Sequence, residues 1–203
     1  MSETINNKVL FGIDYGSKLS GNTVIAALEG KEIFFLDVEK GIDADQFILN
    51  ACDHFKPAMV FIDAPLSLPG VYGKINGFKD YHFRQADIEL KAMSPMFLGG
   101  LVARAIELTN ELEEMGSEVK ETYPRILAND YKLKNKGYKG SRMALKDCTK
   151  VVLQRLDEAL VVDKDDITSW HHLDALLALV SALRHKQGES CAYGDEEEGQ
   201  III

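Results

Sequence analysis

Cysteine is scarce in this chain: 203 residues hold three, at Cys52, Cys148 and Cys191. None forms a C-x-x-C pair, which excludes the common structural zinc spacings, and the odd, scattered set points to a reducing, cytoplasmic setting. Proline numbers 5 and glycine 16, too few for a collagen-like or low-complexity chain. No apolar run approaches the roughly 20 residues of a membrane-spanning helix. The opening MSETINNKVL carries neither a basic leader nor the apolar stretch of a secretory signal. Positive charge is also short, with 23 Lys and Arg against 32 Asp and Glu for a net charge of −9. That balance lowers the expectation of non-specific nucleic-acid binding, although a local basic patch outweighs a total. No G-x-x-x-x-G-K-[ST] phosphate loop is present, and neither Ser67 nor Ser94 sits in a G-x-S-x-G elbow. Asp163, Asp165 and Asp166 lack the glycine and terminal glutamate of a calcium loop.

What is present suits one domain over 1–203, with 46% hydrophobic residues to build a core without staples. Three short apolar runs, 8–14, 22–28 and 31–38, are joined by tight glycine-containing turns and read as an antiparallel meander. Residues 42–55 have helical spacing, and 58–63 is again a strand. A strand entered from a helix implies a crossover and parallel pairing with an earlier strand. The 64–79 segment, with Pro65, Pro69, Gly70, Gly73 and Gly77, reads as a loop long enough to be functional. Helical elaboration is expected around 80–116 and 141–186, with a strand at 117–123 between and an edge strand at 200–203. This order predicts an α/β layer with a mixed sheet.

Two carboxylates fall at strand ends. Asp14 closes the first strand in Gly12-Ile13-Asp14-Tyr15-Gly16, and Asp63 closes the fourth in Ile62-Asp63-Ala64-Pro65. If those strands are parallel neighbours, both project from the sheet edge where open α/β sheets bind ligands. The plain alternative is that each caps a turn. Glu121 ends the 117–123 strand, and Asp174 sits among Leu173, Leu177 and Ala178, where a carboxylate is costly without a partner. His171 and His172 precede it; a histidine beside a metal site could serve as a general acid or base near neutral pH, and capping or core packing is the favoured reading for both.

A basic stretch carries Lys132, Lys134, Lys136, Lys139, Arg142, Lys146 and Lys150, with Tyr131 and Tyr138 interleaved. Cations with aromatics suit a phosphate backbone and stacked bases, and a solvated loop explains them equally. Arg84 could grip a phosphate bidentately, or pair with Asp80 or Asp87.

Taken together, GIDYG, IDAPLSLP, Arg84 and Asp87 in RQADIELK, ETYP, LDALLAL and the terminal GDEEEGQIII resemble an uncharacterised family of predicted nucleases, domain of unknown function family four-twenty-nine. The resemblance implies a ribonuclease H-like mixed sheet: three antiparallel strands, then two parallel, with helices on both faces. It also implies that Asp14, Asp63, Glu121 and Asp174 meet at one sheet edge as catalytic and metal-binding groups. Hard oxygen ligands suit Mg²⁺ or Mn²⁺. The expectation is a metal-dependent nuclease, with nucleic acid held by Arg84, Lys134, Lys136, Lys139 and Arg142. The alternatives are an ATP-dependent phosphotransferase of the actin-like class and a catalytically silent binding module. DNA versus RNA, and the oligomeric state (a homodimer included), stay open.

Overall fold

A computed structural model describes residues 8–203. Its first strands are β1 (Leu10–Asp14), β2 (Val24–Glu29) and β3 (Glu32–Asp37), followed by α1 (Ala44–Phe55) and β4 (Met59–Asp63). The meander is antiparallel throughout, β2 pairing with both β1 and β3. β4 lies parallel beside β1 in a register that sets Asp14 opposite Asp63. The crossover through α1 makes that parallel pair possible, as the sequence predicts.

The middle of the chain is short helices: α2 (Gln85–Leu90), α3 (Pro95–Leu98) and the longer α4 (Gly100–Glu114), leading to β5 (Glu118–Glu121). Where helical elaboration is expected from residue 80, the first helix starts only at Gln85 and runs six residues, because Asp80 instead turns the chain through bonds from the His82 and Phe83 amides. Next come α5 (Pro124–Asp130), a 3₁₀ turn at Leu133–Lys136, and α6 (Arg142–Leu153). The chain ends with β6 (Val161–Val162), α7 (Trp170–Gln187), β7 (Ala192–Tyr193) and β8 (Ile201–Ile202).

Among the described residues the eight strands form one mixed sheet, ordered β6-β3-β2-β1-β4-β5-β8-β7. β6 and β7 are two-residue strands with too little pattern to show in the sequence. β7 also moves the tail inward: β8 pairs parallel with β5 and antiparallel with β7, so it is not the edge strand expected of 200–203.

Alternation along the strands divides the core. Phe11, Ile13, Val60 and Ile62 pack under α1 and α4 with Ile48, Ala105 and Leu108. Leu10 and the residues that share its face pack under α5, α6 and α7. Helix α7 is buried without interruption from His172 to Ala182, so it has no wet stripe. It lies directly on β1 because Gly12 has no side chain. A Cβ there would fall on the Leu179 backbone nitrogen and within 2.6 Å of the Ala175 carbonyl oxygen. Ser169 starts α7 by accepting the His172 amide, and Gly188, at φ 74°, ends it. No helix among the described residues is long and apolar enough to cross a membrane.

Candidate functional site

Asp14 and Asp63 follow Ile13 and Ile62, which face α1 and α4, so the period of two turns both carboxylates toward α7. Asp174 lies in the second turn of α7 and is 2% exposed. Helix and strand ends thus bring Asp14, Asp63 and Asp174 together on one face of the sheet.

Each carboxylate has a different environment. Asp14 Oδ2 is 2.6 Å from Nδ1 of the half-exposed His171. This bond, above all, raises the His171 pKa. Asp174 accepts the Tyr138 hydroxyl through Oδ1 and the Lys139 ammonium through Oδ2. Burial raises the Asp174 pKa, and Lys139 works against that rise. Burial also opposes the Lys139 charge, but Asp174 outweighs it and holds the lysine above its usual value. Asp63 has less relief, the Lys139 charge alone working against its rise. Burial first, then the charges of Asp14 and Asp174, push its pKa well above the usual carboxylate range, with no hydrogen bond to offset them.

Glu121 does not join this trio. The register pairs it with Ile62, whose side chain faces α1 and α4, so the pleat turns it to the opposite face. Both its oxygens accept from Arg84 at 2.6 Å, and Oε2 also accepts the Leu66 amide at 2.8 Å. Burial still leaves its pKa raised, against the pull of Arg84.

Arg84 is wholly buried. Its remaining bonds run to Asp87 from Nε and Nη2 and to Ser67 Oγ from Nη1. All five of its N–H groups are therefore committed, and none is left for a phosphate. This corrects its expected role as a substrate ligand: the salt-bridge alternative with Asp87 is the one realised. The long loop after β4 is pinned in the same place, since Glu198 accepts the Gly70 and Gln85 amides at 2.7 and 2.6 Å.

The basic stretch splits. Lys139, in the left-handed region at φ 64°, turns into the carboxylates. Lys134 and Lys136 are exposed on the 3₁₀ turn. Arg142, in the first turn of α6, lines a cleft of about 500 Å³ with Trp170 and His171. Trp170 fixes the intervening loop by donating to the Gly140 carbonyl and packing edge-on against Tyr138. On the other side of Asp63, a cleft of about 210 Å³ opens between Tyr15, Pro65, Met93 and Tyr123.

The two histidines part company. His172 is buried between Ser169 and Asp37, as core packing predicts. His171 instead reaches Asp14, and Tyr138 reaches Asp174. For His171 this departs from the favoured packing reading and agrees with the alternative that puts it beside the carboxylates, its spacing of three residues from Asp174 being one helical turn; Tyr138, read as a stacking aromatic, is instead a partner of Asp174.

The donor set is three carboxylates without a thiol, which suits a hard divalent cation, and Asp63 stands beside the other two with no hydrogen bond of its own. Among the described residues, no three or more His, Cys, Asp or Glu side chains stand ready around one point. Lys139 and His171 hold Asp174 and Asp14 instead.

No protein-family model matches the sequence, and no curated protein matches it. The family resemblance therefore rests on the quoted motifs alone.

Proposed function

We propose that this chain is a metal-dependent phosphodiesterase acting on nucleic acid, built on a ribonuclease H-like sheet, as the motif resemblance implies. The observation that carries the reading is Asp63. A half-buried carboxylate set beside Asp14 and Asp174 that accepts no hydrogen bond from the protein is costly, and such perturbed groups concentrate at functional sites.

Asp14, Asp63 and Asp174 would hold Mg²⁺ or Mn²⁺. The bound ion would supply a hydroxide-like nucleophile and stabilise the leaving oxygen. Tyr138 keeps its proton, because burial and Asp174 hold its pKa up, and so fixes Asp174 as an acceptor. His171 orients Asp14 and carries a proton at Nδ1 in its raised-pKa form. Lys139, now paired with Asp174, would be the cation nearest these carboxylates to meet a phosphate. Lys134, Lys136 and Arg142 provide exposed charge for the backbone, and Trp170 a face for a base. The cleft beside Asp63 is apolar enough for a splayed base or sugar. Glu121 and Arg84 lie outside the ligand set and support the loop.

One observation favours the silent-module alternative: Lys139 already gives Asp174 a tethered cation.

The readings separate by melting temperature with and without Mn²⁺, beside a nicking assay, for wild type and Asp63→Asn. We expect Mn²⁺ to raise the wild-type melting temperature by linkage. Asp63→Asn should melt higher than wild type without metal, lose most of the Mn²⁺ response and lose nicking. No metal shift and no nicking in wild type would leave the silent module standing.

A further inference from the structure

A second charged cleft lies at the far end of the sheet from the carboxylates, where β1 begins, β2 turns into β3 and α7 ends. Its volume is about 720 Å³, within the range of small-molecule sites. Five cations line it, Lys8, Lys31, Arg155, Arg184 and Lys186, against two acids, Asp157 and Glu189. That local excess stands in a chain of net charge −9.

Helix termini explain only part of it. Arg184 and Lys186 belong to the last turn of α7, where cations complement the helix dipole. Lys8, Lys31 and Arg155 come from three other segments and owe nothing to that helix. None of the five appears in an ion pair among the described residues. Asp157 uses Oδ1 on its own turn, accepting the Ala159 amide at 2.8 Å.

Two of the cations are held in place. The Arg155 guanidinium lies 4.5 Å from the centre of the Tyr131 ring. Arg184 donates to the Glu189 carbonyl at 3.3 Å. Between the charges the wall is apolar, formed by Leu156, Leu160 and Leu183. The cleft therefore offers convergent positive charge beside an apolar face, which matches a ligand with a compact anion at one end and a flat, weakly polar body at the other.

We propose that this cleft binds a nucleoside phosphate, the phosphate on Arg155, Arg184 and the lysines and the base on the leucine wall. The same chemistry is presented by a free nucleotide and by the phosphorylated end of an oligonucleotide. The proposal is independent of the carboxylate site, from which it is separated by the length of α7.

Calorimetric titration of the full chain in chelator tests it. The probes are ADP, inorganic pyrophosphate and a 5′-phosphorylated dinucleotide, and the proteins are wild type, Arg155→Gln/Lys186→Gln, Lys31→Glu and Asp63→Asn. We expect ADP to bind wild type and Asp63→Asn alike, and more weakly at high salt. The double variant should bind it at least about tenfold more weakly, since two charge-assisted contacts are lost. Lys31→Glu, on an exposed turn away from the core, should weaken it in the same direction. Pyrophosphate should bind more weakly than ADP, because it lacks the body that meets the leucines. The tighter of ADP and the dinucleotide identifies the source of the ligand. Absence of ADP binding at millimolar concentration overturns the proposal, as does equal affinity in the double variant. Loss of binding in Asp63→Asn alone overturns it too, by assigning the ligand to the carboxylates.

Discussion

At the scale of single residues, the molecule handles four buried or half-buried acids in contrasting ways. Glu121 and Asp87 share the one guanidinium of Arg84, which spends all five donors on them and on Ser67. Asp174 is satisfied by a phenol and an ammonium, and half-buried Asp63 has only the nearby Lys139 charge and no hydrogen bond from the protein. Removing one partner of a buried ion pair is expensive because the other charge remains. Arg84→Met keeps the apolar stem but strands two acids, so we expect a loss of about 3–5 kcal/mol in chemical denaturation. The Arg84→Met/Glu121→Gln double variant should recover part of it, a coupling read from the double-mutant cycle.

At the scale of elements, α7 and β1 work as a unit. Their contact is backbone against backbone at Gly12, and it sets the height at which Asp174 meets Asp14. Gly12→Ala places a methyl group on the Leu179 nitrogen, a clash no rotamer change relieves. Overpacking costs typically about 1–3 kcal/mol where side chains can adjust. Here we expect the upper end or beyond, seen as a lower denaturant midpoint. Thus the glycine of the GIDYG motif has a packing reason, independent of any phosphate. The loop between the 3₁₀ turn and α6 is likewise part of the site: Tyr138 and Lys139 are carried onto Asp174 while Trp170 holds Gly140.

For the whole molecule, the shifted groups act in concert on stability. Asp63, Glu121 and Asp174 have raised pKa values in the fold, and so does His171. Above its ordinary value, near 4 for the acids and 6.5 for histidine, each group binds more protons folded than unfolded. Stability must then fall as pH rises through the raised values. The lowered pKa values of exposed Asp43 and Asp80 act at more acid pH and do not compete there. We expect the melting temperature of the metal-free protein to fall between about pH 5 and 8. The fall should be shallower in Asp63→Asn, as read by calorimetry in chelator.

The layered α/β class, the meander, the crossover into a parallel β4 and the placing of Asp14 and Asp63 at strand ends are all legible in the order of residues along the chain. These are local matters, set by apolar period, turn residues and the length of connections. That order also marks Asp174, because a carboxylate within an apolar helix must find company. Which company each group keeps depends on how the chain packs. Glu121 and Asp63 stand on neighbouring strands, but a register offset of one residue sends them to opposite faces. Arg84 is equally legible as a phosphate ligand or a salt bridge until its five donors are traced. Lys139 is one lysine among several in a basic stretch, and only a left-handed backbone angle turns it, rather than Lys134 or Lys136, onto Asp174. The five cations of the distal cleft come from segments as far apart as Lys8 and Lys186 and share no motif at all. Register, burial and the meeting of distant segments are non-local quantities, and no window of sequence contains them.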